Sequence, residues 1–253
     1  MSLTIIPLPD QTVECGYFQH KISTNEHFLV QNIDSDDLEM LLSRGFRHFG
    51  RYFFRPVCRN CSRCIPIRVD LRHYRTTPSA KKLLKKNRDL SAVISRPEVS
   101  QEAFDLYRQH KRRFSEGGTE SFHQFEKAFF FPLTGAMQLS LYLDGKLVSV
   151  GHFDETENAL SAVYTYYDDW DADRSFGTYT VNRLIRYAVE GGKHHLYLGY
   201  YIEENRHMCY KRRYYPNEIS TGDGVWLPFI TAEKEELNRE AVRTGFSVNR
   251  RLF

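Results

Sequence analysis

The sequence contains no stretch near the roughly 18 to 20 uninterrupted apolar residues that a membrane-spanning helix needs. Its opening segment, Met1 to Asp10, lacks the charged start and apolar run of a secretory signal. A cytoplasmic chain with no membrane partner is therefore expected. Cysteine is scarce, with 5 in 253 residues, and outside a secretory context these few argue against a disulfide framework, because cytosolic reductants keep thiols open. Internal repeats and low-complexity tracts are missing as well. The most informative shortage is of acid: between Arg44 and Arg96 only Asp70 and Asp89 stand against fifteen Lys or Arg. The whole chain carries a net charge of only +3, so the rest of it must be net acidic.

A basic run can be a solvated face or a polyanion-binding surface. Here Arg is interleaved with Tyr52, Phe53, Phe54, His73 and Tyr74. Guanidinium groups meet phosphates while aromatic rings stack on unpaired bases, so RNA fits this pattern better than a membrane surface. The cations expected to face it are Arg55, Arg68, Lys82, Lys85, Lys86 and Arg88.

With 41% hydrophobic residues the chain can build a real core, as one large domain or two small ones. The first ten residues read as a loose arm. Asp34 or Ser35 can cap a helix over Asp37 to Ser43, with Leu38, Leu41 and Leu42 on one face and Gly45 beyond its end. Phe46 to Arg55 is strand-like, and Ile65 to Leu71 alternates as a half-buried strand does. A basic helix spans Ser79 to Asp89. Past a linker at Pro97, apolar spacing predicts a helix over Gln101 to Phe114, terminated by Gly117 and Gly118.

The second half predicts strands Gln138 to Leu143 and Leu147 to Phe153, joined by a tight Asp144-Gly145 turn. A strand Leu160 to Tyr167, a helix Gly177 to Glu190, a strand His195 to Gly199 and a short helix Glu204 to Arg212 follow. The expected class is α+β, in the order of an N-acetyltransferase-like (GNAT) mixed sheet flanked by helices. The division expected is a smaller basic, cysteine-containing subdomain over residues 1–97 and an acyltransferase-like domain over 98–253.

Three groups of residues could carry chemistry. Cys58, Cys61 and Cys64 form a Cys-x-x-Cys-x-x-Cys run, and Cys15 in a Cys-Gly-Tyr turn could fold back as a fourth ligand for zinc or an iron–sulfur cluster. Redox-sensitive thiols and buried structural cysteines are the alternatives; Cys209 reads as a core or pocket residue. The stretch Ser161 to Asp168 places Tyr164, Tyr166 and Asp168 on one side of a strand by alternation, making either a pocket wall or an aromatic core strand. Ser175, Gly177 and Thr178 open a helix whose amides could hold a phosphate or an oxyanion. Finally, Tyr197 to Tyr201 leads into a basic segment with Lys211 and Arg212, which could bind an acidic ligand or carry solvated charge.

Taken in order along the chain, these residues resemble the arginyl-tRNA–protein transferase family, and within it the bacterial aspartate/glutamate leucyltransferases. In the first half the resemblance rests on Gly45-Phe46-Arg47, on Tyr52 to Pro56 with the three cysteines, and on Lys86-Asn87-Arg88-Asp89-Leu90. In the second it rests on Ser161-Ala162-Val163-Tyr164, Tyr167-Asp168, Ser175 with Gly177-Thr178, Tyr197 to Tyr201, and Met208 with Tyr210-Lys211 leading to Pro216. The Arg112 to Gly118 stretch departs from the family pattern, and Phe18 stands where eukaryotic members carry a second cysteine.

The resemblance implies a cytosolic enzyme that moves an aminoacyl group from tRNA to the amino terminus of a protein and so marks it for degradation. It also implies an acyltransferase-type fold that has given up coenzyme A. Asp168 is then expected to orient or deprotonate the acceptor amine. Donors near Tyr164 and the Ser175 to Thr178 turn would stabilise the oxyanion, with Tyr166 and Tyr200 in the pocket wall. Lys211, with Arg212 and Arg206, would meet an Asp or Glu side chain at the acceptor terminus. Leucyl-tRNA is the expected donor, with arginyl-tRNA as the alternative. A non-enzymatic RNA-binding module with a structural metal site, and a small-molecule N-acetyltransferase, compete with this reading; the second lacks a glycine-rich pyrophosphate loop.

Overall fold

The computed structural model describes residues 3–9, 11–114, 121–131, 133–222 and 224–248. The expected helix end at Gly117 and Gly118 lies outside these residues. Two sheets organise the chain. The first is antiparallel and runs in the order β1 (Thr4–Pro7), β3 (Ile22–Asn32), β5 (Tyr52–Pro56), β4 (Arg47–Phe49), with β2 (Gln11–Glu14) also paired to β3. The expected loose arm is thus partly a strand, because Thr4 to Pro7 finds a partner in Phe28 to Asn32. Helix α1 (Ser35–Ser43) starts where Asp34 accepts a bond from the Asp37 amide at 2.9 Å. It buries Leu38, Leu41 and Leu42 against Phe28, Phe46 and Phe53.

The second sheet has the order β13 (Val225–Ile230), β12 (Asn217–Gly222), β6 (Ile65–Asp70), β11 (His195–Tyr201), β10 (Ala159–Tyr167), β9 (Lys146–Glu155), β8 (Ala136–Leu143), β7 (Ser91–Ser95). Its pairs are antiparallel except β10 with β11. Strands β6 and β7 belong to this sheet, so the sheets divide the chain between Pro56 and Ile65, earlier than the boundary expected near residue 97. Mixed α+β architecture is what the structure has: α5 (Phe176–Glu190) buries Tyr179, Leu184, Ile185 and Ala188 in the core of this sheet, and α2 (Pro78–Lys86) packs against α5.

Helices α3 (Gln101–Lys111) and α4 (Phe122–Phe129) close an aromatic cluster of Phe104, Tyr107, Phe125, Phe129 and Tyr166 over β9 and β10. The helix expected over Glu204 to Arg212 is instead a 3-10 turn, Cys209–Arg213, followed later by the short α6 (Arg239–Thr244). No helix among the described residues is long and apolar enough to cross a membrane.

Candidate active site

The feature that creates a site is the limited pairing of β10 and β11. They pair in parallel only from Ala159 to Ser161 against His195 to Tyr197. Beyond that point each strand carries an irregularity, between Ala162 and Tyr164 on one and between Tyr197 and Gly199 on the other, and the two part. Arg47, from β4 of the other sheet, reaches this opening. Its guanidinium donates to Ser161 Oγ at 3.0 Å and to the Ala162 carbonyl.

Lys211 enters from the 3-10 turn and is only 8% exposed; its ammonium donates to the Tyr200 carbonyl at 2.8 Å. Both cations meet over Gly199, which has a φ of +83°. A Cβ there would stand 3.5 Å from Arg47 Nε and 3.6 Å from Lys211 Nζ. The two nitrogens are therefore within about 7 Å of each other. At an effective dielectric near 20 they repel by roughly 2 kcal/mol. Neither forms an ion pair with a described residue, and Asp154, which acts on Arg47 electrostatically, is itself bonded to His48 at 2.8 Å. Burial first, and then Arg47, push the Lys211 ammonium down to about 7, with Cys64 acting in the opposite sense. Lys211 is thus buried and Arg47 partly buried with no carboxylate of a described residue bonded to either, an arrangement that costs free energy unless an anion neutralises it.

Several expected site residues are committed elsewhere. Asp168 is 3% exposed; it accepts from Gln109 and from Lys146, both at 2.9 Å, and from the Trp170 amide at 3.1 Å. Burial pushes its carboxyl up, but these bonds outweigh burial and hold it below the usual range, which suits a latch at the end of β10 better than a base. Tyr166 is fully buried with its hydroxyl 3.2 Å from His152 Nε2, so it is core and not pocket wall. The Tyr200 hydroxyl donates to the Gly45 carbonyl at 2.9 Å and joins the two sheets, leaving its own carbonyl for Lys211. Arg212 pairs with Glu236 and lies over Phe229, away from the Lys211 ammonium. Arg206 is exposed beside His207.

Tyr164 stands partly exposed among Phe49, Tyr107 and Phe129. Ser175 and Thr178 are exposed at the start of α5, while Gly177 abuts the Tyr167 ring, where a Cβ would come to 2.5 Å. Ser175 caps α5 without a side-chain bond. Arg47 was legible in the sequence only as part of the Gly45-Phe46-Arg47 motif; nothing in its spacing predicts that it leaves its own sheet.

The basic run divides in two. Arg55 is 1% exposed, paired with Glu26 at 2.8 Å and stacked over Phe46, so it cannot reach RNA. Arg68 is likewise spent on Glu218, the Tyr197 hydroxyl and the Trp226 ring. The cations of α2 and the turn after it do face solvent: Lys82, Lys85, Lys86 and, past the helix end, Arg88 are all exposed, with Lys86 3.5 Å from Asp173. Buried Asn87 donates to the Arg174 carbonyl at 3.0 Å, and Arg174 bonds Asp89 through two nitrogens. These bonds pin the end of α2 to the start of α5, at the end of the sheet where β10 and β11 part.

The four cysteines come together at the same end. All are free and partly buried. Burial first, then Cys58, Cys15 and Cys61, push the Cys64 thiol up to about 12, so all four lie in one electrostatic neighbourhood. The Thr24 amide donates to Cys58 Sγ at 3.4 Å. Among the described residues, no three His, Cys, Asp or Glu side chains already surround a common point as metal ligands do. The donor set suits zinc or an iron–sulfur cluster, while the sulfur positions would have to draw in to hold one.

Residues 13–82 match the amino-terminal model of the arginine-tRNA-protein transferases, and residues 102–221 match the carboxy-terminal one. A relative from Acinetobacter baumannii, named aspartate/glutamate leucyltransferase, is 34% identical over 89% of this chain and 85% of its own length. Relatives of the same name from Helicobacter hepaticus and Saccharophagus degradans are each 32% identical, over 81% and 85% of this chain and 88% and 93% of their own. Among solved structures, a lysylphosphatidylglycerol synthetase domain from Agrobacterium fabrum aligns with 70% of this chain and 68% of its own at 15% identity and a TM-score of 0.44. FemX aligns with 70% of this chain and 63% of its own at 9% identity and a TM-score of 0.43. The chain belongs to the arginine-tRNA–protein transferase family, enzymes that transfer an aminoacyl group from tRNA to protein.

Proposed function

We propose that the enzyme transfers leucine from leucyl-tRNA to proteins beginning with Asp or Glu, as the names of its relatives suggest, within an N-degron route to degradation in the cytoplasm. The observation that carries this reading is the unpaired couple Arg47 and Lys211 over Gly199. An acidic side chain brought between them relieves their repulsion and gains charge-assisted hydrogen bonds, which a neutral side chain does not. With that carboxylate held, the acceptor α-amine reaches the opening between β10 and β11.

The donor ester is already activated, so orientation supplies much of the rate and a strong base is not needed. The amine attacks the ester carbonyl, the tetrahedral centre collapses, and the terminal ribose hydroxyl of the tRNA leaves. Tyr164, and the amides of the Ser175, Gly177 and Thr178 turn, are our candidates for the oxyanion. Asp168 acts by holding the end of β10 in place, as a positioning residue. The parting of two parallel strands favours an acyltransferase-type (GNAT-like) arrangement, with the tRNA ester in the place of coenzyme A. An arginyl donor is the second reading, and an acidic pocket for its side chain would favour it.

We further propose that Cys15, Cys58, Cys61 and Cys64 hold a zinc ion or iron–sulfur cluster, which would staple the loop after β2 to the segment before β6. Metal analysis and absorbance spectra of the purified protein, with melting temperature before and after chelation, test that assignment; neither metal nor a thermal shift would refute it. The activity itself is tested by transfer of radiolabel from leucyl-tRNA and arginyl-tRNA to peptides beginning with Asp, Glu or Ala. Label should pass from leucyl-tRNA to the Asp and Glu peptides; equal transfer to Ala would remove the Arg47 and Lys211 couple from acceptor recognition.

A further inference from the structure

A cleft of about 570 Å³ opens against the cysteine loop, with Cys58 and Cys61 in its wall, and the transfer step above does not use it. Lys21, Arg59, Asn60 and Arg63 line one part and Arg243, from the end of α6, lines another. The walls are fixed to each other: Phe246 N–H donates to the Ser62 carbonyl at 2.8 Å, and Ser62 Oγ donates to the Thr244 carbonyl at 2.7 Å. The acids near it compensate little. Glu204 meets Arg63 at 3.3 Å and Glu240 meets Arg243 at 3.5 Å, and all four side chains are at least 40% exposed, where such pairs contribute little. Arg59 and Lys21 form no ion pair with a described residue, although Lys21 stands over the Phe18 ring.

Position gives this cleft its meaning. Cys64 immediately precedes β6, whose first residue, Ile65, pairs with Tyr201, the last of β11. The cleft therefore lies on the β11 side of the opening between β10 and β11. The exposed lysines of α2 lie on its β10 side, pinned there through Asn87 and Arg174. One basic patch attracts an RNA stem but leaves its rotation free, whereas phosphate contacts on both sides of an opening fix its register.

We propose that this cleft is a second phosphate-binding site, which grips the sugar–phosphate backbone of the donor tRNA's acceptor arm and aims its 3′ end between the strands. The inference rests on the functional reading above. Guanidinium groups and an amide on fixed walls suit phosphate oxygens. The competing occupant is the acidic body of an acceptor protein.

The test is binding of uncharged tRNA to the Arg59→Glu/Arg243→Glu variant across a salt series, beside wild type and the milder Arg59→Gln/Arg243→Gln variant. The dissociation constant should rise on the order of ten-fold for the reversal near physiological salt, with the log–log salt slope reduced by roughly 0.7 to 0.9 for each phosphate that is no longer neutralised. The Gln variant should show a shallower slope with a smaller change in affinity, and it carries the test if the reversal does not fold. Unchanged tRNA affinity and slope in a folded variant would overturn the site. A raised KM for acidic acceptor proteins with unchanged tRNA affinity would give the cleft to the acceptor and overturn it equally. Binding is read without a transfer step, so failure of wild type to transfer leucine would count against the functional reading and not against this one.

Discussion

Lys211→Met separates acceptor recognition from folding, because methionine keeps most of the side-chain volume while removing the charge and its hydrogen bond to the Tyr200 carbonyl. In the wild type the ammonium lies buried beside Arg47, with the Tyr200 carbonyl as its oxygen partner. Charge-assisted hydrogen bonds to a carboxylate contribute about 1.5 to 3 kcal/mol, which corresponds to roughly 10- to 150-fold in affinity. The variant should therefore raise KM for an Asp-initiated peptide by that factor and leave KM for an Asn-initiated isostere nearly unchanged. The ratio of kcat/KM for the two peptides, measured at fixed leucyl-tRNA, is the quantity to follow. Stability moves the other way. A lysine of ordinary value 10.5 held near 7 weakens the fold by up to roughly 5 kcal/mol below pH 7, and this penalty fades as pH rises towards 10.5. The variant should gain most over wild type at or below pH 7, less the cost of leaving the Tyr200 carbonyl without its donor. An unchanged Asp-to-Asn ratio in a variant with this stability gain would refute the receptor for acidic termini.

Four further outcomes follow from the same geometry. Breaking the buried pair with Arg55→Met removes the guanidinium that meets the Glu26 carboxylate at 2.8 Å and should cost about 3 to 5 kcal/mol in chemical denaturation, with tRNA affinity unchanged in the folded protein. Asp168→Ala frees Lys146, Gln109 and the Trp170 amide and should cost about 1 to 3 kcal/mol, with a larger loss in kcat than in acceptor KM. Rescue by Asp168→Asn would mark the residue as positioning; complete loss with Asn would return it to the chemistry. Reversal of α2 with Lys82→Glu/Lys85→Glu should weaken tRNA binding steeply at low salt and little at high salt, read by filter binding. His110 is buried, and burial and Arg113 lower its pKa from 6.5 to about 4. Stability should be full above pH 6.5 and fall by up to about 3 kcal/mol as pH drops to 4; a loss of the same size that persists in His110→Gln would reject this source.

Much of the fold was legible because local rules and tertiary packing agree. Leu38, Leu41 and Leu42 recur at helical spacing behind an Asp cap, and α1 forms there. The hairpin at Asp144-Gly145 and the α5 stripe of Leu184, Ile185 and Ala188 follow for the same reason. Strand β3 was not legible: Ile22 to Asn32 mixes polar and apolar residues irregularly, since two strands pair with one edge and a third with the other. The site was legible as a neighbourhood more than as roles. Period-2 alternation grouped Tyr164, Tyr166 and Asp168, but it cannot tell which carboxylate a lysine two strands' length away will claim, and Lys146 claims Asp168.

The basic run carries the deeper lesson, because charge counting treats all its members alike and the fold does not. Arg47, Arg55 and Arg68 turn inward, where their cost depends on finding partners. Arg55 finds Glu26, and Arg68 finds Glu218. Arg47 finds only neutral oxygens at Ser161 and Ala162, and the charge next to it is another cation, Lys211. A fold selected for stability alone would replace one of the two, since a neutral side chain there removes both the repulsion and the burial penalty. On the function proposed above, their presence in one place, at the opening of two parting strands and with no carboxylate of a described residue bonded to either, is accounted for by an anion that arrives with the substrate.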